Sequence, residues 1–188
     1  MPRKLRLAMT VDPSSGSTKR SNFFVVSVVG LDLYTMKLHV MDVLRARVPI
    51  EQQPERAAER FLRWYDQGLR TIGIEAVFRQ SEVVRQVTAR LRGFAVRVVP
   101  IFREKDKETR LAGLAMRYSN GDILHPEGAD GSRPAWVEVL EEELCAIGWE
   151  KGVQLHEFDD QVDAVNDACN MLTAGLMAEA FVPMHHRM

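Results

Sequence analysis

Three strand-patterned segments follow one another in the first 45 residues, and that order limits the fold more than any other feature. Leu5, Leu7, Met9 and Val11 alternate with Arg6, Ala8 and Thr10, the period of a strand with one face buried. Asp12-Pro13-Ser14-Ser15-Gly16-Ser17 ends it in turn-forming residues. Phe23 to Leu31 is rich in β-branched and aromatic residues and reads as a second strand. After Asp32 and Leu33, Tyr34 to Arg45 alternates again. Met36, Leu38, Val40 and Asp42 fall on one side, and Lys37, His39, Met41 and Val43 on the other. Short links between consecutive strands predict an antiparallel meander.

Beyond residue 50 the pattern switches to helices alternating with strands. Ala57, Ala58, Phe61, Leu62 and Tyr65 have helical spacing within Glu51 to Leu69. Thr71 to Val77 is a short apolar run of the buried-strand type. Glu82 to Leu91 reads as a helix stopped by Gly93, and Phe94 to Ile101 as a strand whose Pro100 fits an edge or an end. Asp106 to Tyr118 and Ala135 to Ile147 read as helices, separated by an Asn120-Gly121 hairpin signal and a polar loop. A last helix runs from about Asp160 to Ala180, striped by Val165, Cys169, Leu172 and Leu176. A meander followed by parallel strands with crossover helices predicts an α/β mixed sheet with helices on both faces. The chain of 188 residues is read as a single domain, 1–188, without repeats.

Three places in this order hold carboxylates that an ordinary core does not need. Asp12 stands where the first strand meets its loop, and Glu75 lies inside the apolar run Thr71 to Val77. A buried carboxylate is costly unless a cation, a proton or a hydrogen-bond donor satisfies it. Asp159-Asp160-Gln161-Val162-Asp163 opens the last helix, and Asp160 and Asp163 share one helical face. Each has a structural alternative. Asp12 can start a turn, Glu75 can be a core ion-pair member, Asp159 can be an N-cap, and Asp160 and Asp163 can complement the helix dipole. Taken together, they are the kind of carboxylate set that two hard divalent cations would need.

The formal net charge is only -1, but its distribution is uneven. Arg79, Arg85, Arg90, Arg92, Arg97, Arg103, Lys105, Lys107 and Arg110 dominate one stretch, whereas Glu138 to Asp163 is strongly acidic. A basic surface beside an acidic site suits a nucleic-acid substrate, and two solvated faces are the structural alternative. Cys145 and Cys169 have no metal-ligand spacing, and the histidines none that suits zinc. No run reaches the length of a membrane span and no leader is evident, so the expected location is cytoplasmic.

Several short stretches carry a specific resemblance. Met9-Thr10-Val11-Asp12-Pro13, Ile72-Gly73-Ile74-Glu75, Asp106-Lys107-Glu108-Thr109-Arg110, Glu143-Leu144 and Asp159-Asp160-Gln161-Val162-Asp163-Ala164 together resemble the nuclease domain of viral terminase large subunits. The resemblance implies a ribonuclease H-like fold and a DNA endonuclease that cuts viral concatemers during genome packaging with two Mg²⁺ or Mn²⁺ ions. It implies Asp12, Glu75 and Asp160 as the catalytic, metal-binding triad, with Asp159 and Asp163 completing the metal set. Double-stranded DNA is the expected substrate, contacted by Lys19, Arg20, Arg103, Lys105, Lys107 and Arg110. An ATPase motor domain, a portal and a small terminase subunit are the expected partners. The sequence itself holds no Gly-x-x-x-x-Gly-Lys-Ser/Thr phosphate loop, so no ATPase domain is expected within it. Two other readings share these residues: a Holliday-junction resolvase-like nuclease, and a non-catalytic DNA-binding packaging module.

Overall fold

The computed structural model describes residues 5–14, 23–76, 81–103, 106–150, 153–154 and 159–180. The elements run β1 (Leu5–Asp12), β2 (Phe24–Asp32), β3 (Leu38–Ala46), α1 (Gln53–Tyr65), β4 (Thr71–Glu75), α2 (Ser81–Arg90), β5 (Arg97–Ile101), α3 (Lys107–Ser119), β6 (Ile123–Leu124), α4 (Ala135–Ala146), a small hairpin of β7 (Trp149–Glu150) and β8 (Val153–Gln154), and α5 (Asp160–Ala180). Six strands form one sheet in the order β5-β4-β1-β2-β3-β6. β1, β2 and β3 are the antiparallel meander, and β4 and β5 add in parallel beside β1. This is the mixed sheet of the ribonuclease H-like fold.

Both faces of the sheet are covered, which is why β2 is buried along its whole length. One face carries Val25, Val29, Leu31, Leu38, Val40 and Val43 against Val165, Cys169 and Leu172 of α5, Leu111 and Leu114 of α3 and Leu140 of α4. The other packs Met9, Val11, Val26 and Val28 against Ala57 and Phe61 of α1 and Val83 and Val87 of α2. Burying one side chain of this size contributes roughly 1.5–3 kcal/mol. β5 is the edge strand, so Pro100 forfeits no hydrogen bond to a further strand.

Two local expectations need correction. The register of β2 with β3 shifts between Val28, opposite Asp42, and Val29, opposite Val40. The extra residue reverses the alternation from that point. Asp42 therefore joins the α1 face, where its carboxylate accepts from Trp64 Nε1 at 3.0 Å and pairs with Arg60 at 3.1 Å. Second, Asn120-Gly121 makes no hairpin. Gly121, with φ 65°, closes α3: its N–H donates to Tyr118 O at 2.9 Å, and Asp122 N–H to Arg117 O at 2.8 Å. A helix C-terminus uses the same left-handed glycine that a tight hairpin would. The chain then enters β6, which pairs in parallel with β3.

Candidate active site

Strand register brings the first two acids together. Val11 pairs with Ile74 across the parallel β1–β4 ladder, so Asp12 and Glu75, one residue further on, end adjacent strands at the same edge of the sheet. Glu75 pairs in turn with Ile101 of β5, and Arg103 follows two residues later. Three chemically active side chains thus gather at the carboxyl ends of parallel strands, where open α/β sheets form their sites.

α5 supplies the rest and is held close to the sheet. Ala164 O accepts from Thr10 Oγ1 at 2.7 Å and from Ser27 Oγ at 3.1 Å. The buried Ala164 and Ala168 let the helix approach. Gly73 of β4 serves the same end, since a Cβ there would collide with Met171 Sδ and Ile101 Cδ1. The first turn of α5 is fixed by Glu143 of α4. Its carboxylate accepts from Gln161 N at 2.8 Å, Val162 N at 3.2 Å and Gln161 Nε2 at 2.8 Å. Otherwise unpaired N–H groups at a helix start thereby gain a buried anion.

On this frame four carboxylates converge on one guanidinium. Arg103 Nη2 donates to Asp12 at 3.0 Å and to Asp167 at 2.9 Å, Nη1 to Glu75 at 2.8 Å, and Nε to Asp167 at 3.1 Å. Asp163 stands 3.4 Å from Nη1. Asp163 and Asp167 are four residues apart and so share a helical face. Burial pushes the Asp12 carboxyl well above its ordinary pKa; Arg103 opposes that shift and the Glu75 carboxylate adds to it. Burial raises Asp167 as well, again against Arg103 and with Asp163 and Glu75 adding.

The other predicted residues border this centre. Lys107 pairs with Asp159 and lies 3.7 Å from Asp163, and Arg110 pairs with Asp163 at 2.9 Å. Asp106 caps α3, accepting from Thr109 N at 2.9 Å, and so places Lys107 and Arg110 one turn apart. Asp160 stands apart from the guanidinium. Its Oδ2 accepts from Phe23 N at 3.1 Å. Burial raises its pKa to about 6; the Phe23 N–H opposes this, Asp159 and Glu143 add to it, and Arg45 opposes it. The structure thus groups Asp12, Glu75 and Asp163 as expected acids and adds Asp167, which the sequence reading did not single out. Lys19, Arg20 and Lys105 lie outside the described residues.

Among the described residues, no group of three His, Cys, Asp or Glu side chains is arranged to hold a metal ion as it stands. The physical reason is visible: the Arg103 guanidinium fills the point on which the oxygens converge. The donor set nevertheless fits a divalent cation. It is all oxygen, the chemistry of hard ions, and four carboxylates facing one guanidinium leave negative charge to spare. A cavity of about 860 Å³ between α3, β6 and α4, lined by Leu111, Tyr118, His125 and Leu144, contains none of these acids.

Residues 9–172 match the family described as the terminase RNaseH-like domain. The chain belongs to that family. Solved terminase nuclease domains share its fold. The human cytomegalovirus domain, Mn-soaked and inhibitor-bound, gives a TM-score of 0.63 at 16% identity, covering 92% of this chain and 85% of that one. The large terminase nuclease domain of P22 gives 0.62 at 11% identity, over 93% and 84%. That of bacteriophage SPP1, with bound Mn, gives 0.58 at 13% identity, over 88% and 86%. No curated protein sequence matches this terminase domain significantly. None of the helices it forms among the described residues is long and apolar enough to cross a membrane.

Proposed function

We propose that this chain is a metal-dependent endodeoxyribonuclease that hydrolyses phosphodiester bonds of viral concatemeric DNA during genome packaging. The reading treats 1–188 as one nuclease domain serving an ATPase motor, a portal and a small terminase subunit. One observation carries it: Asp12, Glu75, Asp163 and Asp167 converge at the carboxyl ends of β1 and β4. That Mn is bound in the SPP1 domain and was soaked into the cytomegalovirus domain supports a divalent requirement.

In this reading Asp12, Glu75, Asp163 and Asp167 hold two Mg²⁺ or Mn²⁺ ions, with Asp159 and Asp160 at the border. When bound, the ions supply Lewis-acid neutralisation of the phosphoryl charge and lower the pKa of the attacking water. Asp12 and Glu75 are held by strand ends and α5 by Glu143, so the acids are in place before substrate arrives. Lys107 and Arg110, beside the acids, keep the excess negative charge from repelling the DNA backbone, whose phosphate contacts carry no base readout. Plasmid nicking tests the reading. Cleavage is expected with Mg²⁺ or Mn²⁺ and none in excess EDTA, and Asp163→Asn is expected to abolish it. Undiminished cutting in EDTA would refute it.

A further inference from the structure

Arg103 occupies the place that the proposed metal ions need. Its five N–H donors lie in one plane, the geometry that lets a single side chain serve several carboxylates. Here they engage Asp12, Glu75 and Asp167 at 2.8–3.1 Å, with Asp163 at 3.4 Å. Mg²⁺ requires the same oxygens at roughly 2.0–2.1 Å around a common point. A guanidinium and a metal ion cannot both occupy that point, by volume or by charge.

The chain around Arg103 permits departure. The residue lies beyond the end of the edge strand, on the connection from β5 to α3. Its neighbour Phe102 is 67% exposed. No strand pairing has to break for the side chain to swing out. Asp163 already has a second cation partner in Arg110, at 2.9 Å. Without any cation, the remaining buried carboxylates would repel one another.

We propose that Arg103 is a resident counter-ion of the acid cluster and that metal loading is a cation exchange in which Arg103 leaves. The proposal rests on the metal-dependent reading above and adds a consequence to it. The metal-free fold is held assembled by Arg103, and the same contact weakens metal affinity, so that filling the site takes a higher metal concentration than the acids alone would need.

Two measurements on the full chain test it, neither depending on cleavage. In the first, Mn²⁺ binding is followed by calorimetry without DNA for the wild type, Arg103→Gln and Arg103→Lys. Arg103→Gln is expected to bind Mn²⁺ roughly tenfold or more tightly and to melt earlier in EDTA; Arg103→Lys should lie between. Equal or weaker Mn²⁺ binding by a folded Arg103→Gln would overturn the exchange while leaving metal binding intact. Binding by neither protein would overturn the metal reading and the exchange with it. The second measurement needs no folded variant of low stability. The Arg103 Nε–Hε resonance of ¹⁵N-labelled wild type, assigned by its loss in Arg103→Lys, should be protected in EDTA and become solvent-exchanging as Mg²⁺ is added. A resonance still protected at Mg²⁺ saturation would overturn the proposal.

Discussion

Replacing Glu143 with alanine tests the link between the fold and the site without assuming any catalytic chemistry. The side chain is 4% exposed and accepts from the backbone N–H groups of Gln161 and Val162 and from Gln161 Nε2. Hydrogen bonds to a charged acceptor contribute about 1.5–3 kcal/mol each, and a buried donor left unpaired costs about 1–3 kcal/mol. Gln161 Nε2 can turn to a new partner, whereas the two backbone donors cannot. Arg45, whose buried Nε stands 3.7 Å away, loses a nearby counter-charge as well. Removing Glu143 also relieves Asp160 of a neighbouring carboxylate, which returns a small part of the loss. Glu143→Ala should therefore cost about 3–5 kcal/mol. Glu143→Gln keeps one acceptor oxygen and should cost about 1–2 kcal/mol. Urea titrations in EDTA read the difference as a shift in midpoint at constant slope. Hydrogen exchange should locate the loss at the first turn of α5. A cost below about 1 kcal/mol for alanine, or equal costs for alanine and glutamine, would refute the capping role.

Asp160→Asn should remove a pH dependence of the metal-free protein. The folded carboxyl titrates at about 6 instead of 3.8, so the folded state binds the extra proton between those values and stability falls as pH rises through that window. In EDTA the variant should match wild type near pH 4 and exceed it by about 2 kcal/mol at pH 8; parallel melting curves at both pH values would contradict this. Glu75→Gln should abolish Mn²⁺-dependent nicking yet cost under ~1 kcal/mol in EDTA, well below the ~3 kcal/mol of a broken isolated pair, because Arg103 keeps Asp12, Asp163 and Asp167. An active, strongly destabilised variant would show Glu75 to be structural. Duplex DNA affinity, measured by anisotropy, should fall steeply with NaCl and vary little with sequence; a flat salt response or one strongly preferred short site would count against phosphate-led binding.

Much of this site was legible because its acids break local rules. Asp12 and Glu75 could be found since a carboxylate at the end or inside of an apolar strand has no ordinary packing reason to be there. That they stand side by side depended on a parallel register between strands some 60 residues apart, which only the meander-then-crossover order hinted at. Asp167 carried a readable signal, four residues after Asp163 on the same helical stripe, but it lies beyond the first turn, where the acid pair drew attention. Arg103 was read as a DNA contact and not as a partner of these acids, with which it is engaged. Its contact with Asp12 spans 91 residues and depends on where the edge strand stops. Lys107 and Arg110, read as DNA contacts, are engaged by Asp159 and Asp163. The bulge opposite Val28 left no mark in the sequence, because Met41 and Val43 are as apolar as the residues they displace.

The polar lock between Thr10, Ser27 and Ala164 joins the first strand to the last helix across 154 residues. A chain emerging from the ribosome amino end first therefore has Asp12 and Glu75 long before it has Asp163 and Asp167. Until α5 docks, its strands hold an incomplete set of acids with nothing to complete them. The acid cluster is therefore complete only once α5 has docked on the sheet, however early its strands have formed.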